Sequence, residues 1–290
     1  MNIRHFSVSV LLCLALAGTA AAQSSRGGMG AVPYADAGGT GVTFRTWAPN
    51  ASSVAIKGAF NGWGSTTLTR DSSGGTWSVD ISRAKAGDEY KFVVNGTYKK
   101  DPRAQRVVNS AGNSIVYDQH AFNWGNSTNF SPIWRNDLVI YEMHAGAYNA
   151  EDWLPSTFDE CAEKIAYLKA LGISGVELMP VNEFPGDRSW GYNPSDVLAI
   201  ESSHGGPDAI KRFIKACHEN GIAVLMDVVH NHYGPSDLDM WQYDGWSQGG
   251  FGGIYFYNDW KANTDLGSTR PDYGRSEVRD FIQAQIQMFV

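Results

Sequence analysis

Gly221 to His232 reads GIAVLMDVVHNH, and its second half carries a carboxylate, a carboxamide and two imidazoles. Ile222 to Val229 is a nearly unbroken apolar run, opened by a glycine and closed by polar residues. That pattern suits a strand covered on both faces in a parallel sheet. Asp227 is the exception. It falls near the carboxyl end of the run, followed by Asn231 and His232, where barrels and doubly wound sheets gather their chemistry. A second reading stands beside it, with Asp227 as a helix cap and the other two as loop polars. Glu142 and Glu177 also fall near strand ends, and read as buried hydrogen-bonding partners more than as reacting acids. His204 and His230 read as loop residues.

The elements that would position these groups alternate regularly. Leu138 to Tyr141 is a strand running into Glu142-Met143-His144. Thr157 and Glu160 make a capping box for a helix whose apolar face is Phe158, Cys161, Ile165 and Leu168. Gly172 stops it, and Val176 to Met179 is the next strand. Pro207 suits a first helical position, ahead of the stripe Ile210, Phe213, Ile214 and Cys217. Asn220-Gly221 ends that helix, and Glu277 to Val290 is helical again. Strand and helix in alternation give βαβ units and a parallel sheet.

Upstream the period changes to two. Val42 and Phe44, Trp77 to Ile81, and Tyr90 to Val94 alternate with polar residues between turns such as Asn61-Gly62 and Asn95-Gly96. Short strands at that spacing predict an immunoglobulin-like β-sandwich over residues 41–118. Ser24 to Thr40 is rich in small residues and reads as a mobile lead-in, while 119–136 has no period and reads as a linker. Residues 1–22 combine a basic start, the apolar core Phe6 to Leu16 and Ala20-Ala21-Ala22, which predicts a signal peptide cleaved before Gln23. The chain is then secreted or periplasmic. That apolar run is too short to span a bilayer comfortably, so no membrane partner is expected.

A net charge of −7 over 290 residues gives no basic excess for nucleic acid. Ten Trp and 13 Tyr suggest aromatic platforms. Cys161 and Cys217 both fall on apolar helix faces and read as buried free thiols, although an oxidising compartment permits a disulfide.

Residues 41–118 resemble the starch- and glycogen-binding modules of carbohydrate-binding family 48. The matching words are Phe60-Asn61-Gly62-Trp63, Tyr90-Lys91-Phe92, Asn95-Gly96 running to Asp101-Pro102, and Gly112-Asn113-Ser114-Ile115. The resemblance implies a glucan site at Trp63, Lys91, Tyr98 and Asn113, with Tyr98 standing where a tryptophan is usual. Modules of this kind also serve as spacers without a sugar site, and both readings stay open.

Residues 137–290 resemble the α-amylase superfamily, glycoside hydrolase family 13. The likeness rests on Ile140-Tyr141-Glu142-Met143-His144, Gly191-Tyr192-Asn193-Pro194 and Asp227-Val228-Val229-His230-Asn231-His232. Module and motifs together look most like branching enzymes and trehalohydrolases. The implied fold is the first, incomplete part of a (β/α)8 TIM barrel. By resemblance Tyr192 stacks on the sugar being cleaved, His232 hydrogen-bonds it and Asp227 supports the architecture beneath. Asn231 is a calcium ligand in many amylases, but branching-type members often lack that ion, so no cofactor is required. Tyr192 packing its own turn, and Asn231 capping a loop without metal, are the alternatives.

Such enzymes act on α-glucans (starch, glycogen, maltooligosaccharides) with two carboxylates and retention of configuration. The resemblance puts the nucleophile and the general acid beyond Val290, so no catalytic carboxylate is expected in this chain. Three strands cannot close a barrel. The expectation is the front of a larger secreted α-glucan hydrolase, inactive alone, with a branching enzyme or a non-catalytic glucan binder as alternatives.

Overall fold

In a computed structural model, which describes residues 23–151 and 153–289, the period-two runs become two antiparallel sheets. The signal peptide expected at 1–22 lies outside the described residues. The strands are β1 (Gly30–Asp36), β2 (Gly39–Trp47), β3 (Val54–Gly58), β4 (Thr66–Thr67), β5 (Thr69–Arg70), β6 (Thr76–Ile81), β7 (Glu89–Val94), β8 (Thr97–Lys99) and β9 (Ser114–Ile115). One sheet has the order β1-β2-β6-β5, and the other β4-β3-β7-β8 with β9 on β7. Val42, Phe44, Ile56, Val79, Tyr90 and Phe92 are buried between them, with Phe44 edge-on to Tyr90 at 5.0 Å. Burying each such side chain stabilises the fold by roughly 1.5–3 kcal/mol.

The lead-in is not mobile. It supplies β1, paired with β2 from Gly30↔Arg45 to Asp36↔Gly39. Small residues hid it: an edge strand needs only its backbone, and Pro33 is tolerated there. Arg26, just ahead, binds Asp36 through two nitrogens (2.7 and 2.9 Å) and Asp80 through a third (2.6 Å).

The second part follows as β10 (Ile140–Met143), α1 (Ala145–Tyr148), α2 (Phe158–Ala162), α3 (Ile165–Ala170), β11 (Gly175–Leu178), β12 (Asn182–Glu183), β13 (Asp196–Ile200), α4 (Gly206–Glu219), β14 (Ala223–Met226) and α5 (Ser276–Met288). β10, β11 and β14 form a parallel sheet in that order, and β12–β13 is a separate antiparallel pair. The helix expected from 157 is two short ones broken at Glu163-Lys164, yet its stripe Phe158, Cys161, Ile165 and Leu168 is buried. The capping box forms: Thr157 N donates to Glu160 Oε2 (2.6 Å) and Glu160 N to Thr157 Oγ1 (3.3 Å). Cys161 and Cys217 are buried free thiols, raised by burial to about 11 and about 12. The helices cover one face of this sheet. On the other, Ile140 and Glu142 are exposed while Glu177 and Leu225 are half-buried.

The two parts share a core. Trp47 packs edge-on against Tyr255 at 5.3 Å, Tyr255 against Phe281, and Thr46 Oγ1 hydrogen-bonds Tyr243 OH (2.7 Å). Tyr243 and Tyr255 come from the long irregular segment between β14 and α5. Residues 119–136 are strapped to α4, with Lys211 donating to Gln119 O (2.8 Å) and Phe130 stacked on His218 at 4.1 Å. No helix of the described residues is long and apolar enough to cross a membrane.

Candidate functional site

Three strand ends make the rim. Met143, Leu178 and Met226 lie in register across β10, β11 and β14, so His144, Met179 and Asp227 leave the sheet at one level. Asp227 N donates to Leu178 O (3.0 Å), so the ladder itself places the carboxylate. Tyr192 OH donates to Asp227 Oδ2 at 2.7 Å. That bond, then burial, pushes the phenol up to about 12, so Tyr192 stays a neutral donor with a partly exposed ring.

The loop carrying Tyr192 is fixed from several sides. Gly191 has φ +88°, and a Cβ there would overlap Pro180 O, so only glycine fits. His144 Nε2–H donates to Ser189 O (2.7 Å), and the Ser189 hydroxyl donates to Asn193 Oδ1. Gly234 N donates to Pro194 O (2.7 Å), which pins the Asn231–His232 loop to the Tyr192 loop. His232 is buried, and the Asn231 amide donates to its Nδ1 (3.3 Å). Tyr192 therefore meets Asp227 directly, while the His232 loop joins them through backbone.

Other residues at this rim differ from expectation. Glu142 is exposed on the open sheet face and Glu177 half-buried beside it, because the described residues put no layer over them. His204 lies in a loop, as expected, but it is buried there, edge-on to Phe158, Phe184 and His144. Burial, then His144, lowers it to about 4, so it is neutral. An open cleft of about 780 Å³ beside His144 and His204 is flanked by Trp153 and Trp190, residues that are 90% and 73% exposed. Sequence reasoning passed over both tryptophans. Their signal was an aromatic on a polar loop, visible only once the loops converge.

On the module, Lys57 lies opposite Lys91 and Tyr98 opposite Val93, which puts Lys91 and Tyr98 on the outer face of the second sheet. Trp63 follows the end of β3, at φ +61° and 40% exposed. Asn113 Nδ2 donates to Glu89 Oε2 (2.8 Å), and Lys57 Nζ donates to Tyr98 OH (2.9 Å). Lys57 and Glu89 had escaped notice. Each occupies a polar group of a residue expected to hold sugar.

Asn231 is the calcium candidate. It shares a shallow cleft with His230, Tyr273 and Arg279. Among the described residues no three His, Cys, Asp or Glu converge on a metal position. A guanidinium in place of carboxylates does not fit a hard dication.

A β-sandwich welded to a parallel β/α sheet, with an aromatic–carboxylate–imidazole group at the strand ends, defines a module-bearing barrel-type protein. Residues 28–119 match the carbohydrate-binding module 48 (isoamylase N-terminal domain) model, and 121–263 match the alpha amylase catalytic domain. The chain belongs to the α-amylase superfamily, glycoside hydrolase family 13, with a family 48 module ahead of the amylase-type part. A malto-oligosyltrehalose trehalohydrolase from Saccharolobus solfataricus is 32% identical, covering 86% of this chain and 42% of the relative. A 1,4-alpha-glucan branching enzyme from Francisella tularensis subsp. novicida is 34% identical, covering 88% and 42%. The chain thus spans 42% of the length of these curated relatives. Among solved structures, a Salmonella typhimurium protein assigned as an alpha amylase superposes with TM-score 0.76 at 30% identity, covering 90% of this chain and 41% of that one. A Paenibacillus barengoltzii pullulanase shares the fold, with TM-score 0.74, 23% identity and coverage of 92% and 47%.

Proposed function

We propose that the chain forms the module and sugar-gripping front of a secreted or periplasmic, retaining α-glucan hydrolase. The observation that carries this reading is the Tyr192–Asp227 hydrogen bond at the shared strand rim. It holds a partly exposed phenol ring two residues from Trp190 of the open cleft, where a glucose unit would stack. Tyr192 supplies the apolar ring for the C–H face of the sugar, and Asp227 orients it. His232, on the loop tied to Pro194, hydrogen-bonds the sugar hydroxyls. Trp153 and Trp190 widen the apolar wall for a longer chain, as pockets for polar ligands commonly combine aromatic walls with a few placed polar groups. The partners are starch, glycogen or maltooligosaccharides. Trp63, Lys91, Tyr98 and Asn113 add a second, surface glucan platform, and the leader-like first 22 residues support export.

Retaining chemistry needs a nucleophile and a proton donor roughly 5–5.5 Å apart. No described residue is assigned to either role: Asp227 is engaged by Tyr192, and Glu142 and Glu177 sit side by side on the open sheet face. Purified 1–290 is therefore expected to release no reducing sugar from starch, and measurable release overturns that assignment. A second reading is glucan branching, supported by the branching enzyme at 34% identity. Product analysis with the full-length protein on amylose decides: new reducing ends support hydrolysis, and new branch points without them support transfer.

A further inference from the structure

The buried joint between module and rim holds a lysine whose contacts run to both site loops. Lys100, just past β8, is only 2% exposed. Its ammonium carries three N–H donors, and three oxygens of the protein accept from it. They are Ser110 O in the module, Asp196 Oδ2 at 2.6 Å and Asp237 O at 3.1 Å. Its backbone N–H donates to Asp239 Oδ2 (2.6 Å).

Each acceptor outside the module closes a segment that bears a site residue. Asp196 is separated from the Gly191–Pro194 loop by Ser195 alone. Its Oδ2 also accepts from Ser195 Oγ (2.9 Å), and Ser195 N donates to Glu183 O (2.8 Å). Asp237 ends the stretch that begins at Asp227 and contains His232. It sits at φ +54°, a conformation that costs an aspartate some strain and persists only where surrounding contacts hold it. Ser110 Oγ donates to its Oδ2 (2.8 Å), so the module grips Asp237 twice. The Gly234–Pro194 bond then links the two segments between their anchored ends.

We propose that Lys100 is a positioning residue for the glucan rim: one module side chain anchors both the Tyr192 loop and the His232 loop. The module is then a structural part of the site as well as a sugar platform. A lysine suits this place because three convergent oxygens match an ammonium, whereas the flat guanidinium of arginine spreads its donors in a plane. The inference rests on the reading that Tyr192 and His232 grip glucan.

The test uses the full chain with Lys100→Met and Asp196→Asn combined, which removes both charges and leaves neither buried alone. In a Trp63→Ala background, which weakens the module surface equally in both proteins, amide hydrogen exchange and maltoheptaose titration are measured. Exchange at Ser195 and Gly234 should rise about tenfold or more while Phe44 and Phe92 keep their protection, and maltoheptaose affinity should fall about tenfold. Unchanged loop exchange overturns the proposal, as does equal acceleration everywhere, which would mean a purely global contribution. Looser loops with unaltered maltoheptaose affinity overturn it too. If protein with Lys100 intact binds no maltoheptaose, the glucan reading fails, and the exchange pattern still decides the clamp. Should the double variant fail to fold, Asp196→Asn alone is expected to loosen Ser195 before Gly234, and the reverse order or no change counts against the clamp.

Discussion

The outer face of the module and the rim of the parallel sheet both display aromatic rings beside polar groups, yet they are held in different ways. On the module, Lys57–Tyr98 and Asn113–Glu89 are exposed or half-exposed pairs on a sheet surface. At the rim, Tyr192 is bound to a carboxylate set by the strand ladder, on a loop fixed by Gly191, His144 and Gly234. A surface platform can adapt to any glucan helix that lands on it. An over-determined rim fixes one sugar in one orientation, which is what bond cleavage requires. On the proposed function, the module then suits capture and the rim suits orientation.

The largest effect is expected at the shared core. Phe44→Ala empties space among Phe60, Tyr90 and the second sheet and should cost about 3–5 kcal/mol. Because Trp47, Tyr255 and Phe281 continue that core into the second part, denaturation should remain one transition. Two transitions, with the rim surviving, would make the module a separate body. Next, Asp227→Asn should weaken rim binding of maltoheptaose about 10–100-fold, the worth of roughly 1.5–3 kcal/mol for a hydrogen bond to a charged group. Retention on amylose through the module should be untouched.

A smaller effect concerns Glu183, fully buried under the rim beside Glu201. Burial, then the neighbouring Glu201 charge, holds its carboxyl well above the usual range. A raised carboxyl keeps a proton in the folded state that the unfolded chain releases. Its stabilising effect is therefore complete at acid pH and is lost as pH rises through neutrality. Glu183→Gln stays neutral throughout, so its melting temperature relative to the parent should climb between about pH 5 and pH 8. A constant gap would show that Glu183 does not titrate there. Smallest is Trp63→Ala: an exposed ring contributes about 0.5–1.5 kcal/mol, so affinity for amylose should drop about two- to tenfold. No drop returns Trp63 to a structural role.

Periodicity made both sheets legible, because Val42, Phe44, Tyr90 and Phe92 alternate and Val176 and Ile222 sit in apolar runs. β1 was hidden because Ala31, Pro33 and Ala35 bury little side chain, and an edge strand leaves no apolar pattern. The segment from Tyr233 to Tyr255 was illegible for another reason: its aromatics pack on Trp47 and Phe281, far away in sequence. Tyr192, Asp227 and His232 were readable as motif words, and the Tyr192–Asp227 bond gives two of them a common place. Lys100 was not readable. Nothing local separates a buried lysine after a short strand from an exposed one.

On the proposed function the rim itself holds glucan, apart from the module. Maltoheptaose titrated into Trp63→Ala and into Trp63→Ala/Tyr192→Ala separates the two surfaces. Binding by the first, and at least about tenfold weaker binding by the second, is the predicted result. Equal affinity in the two proteins would contradict it.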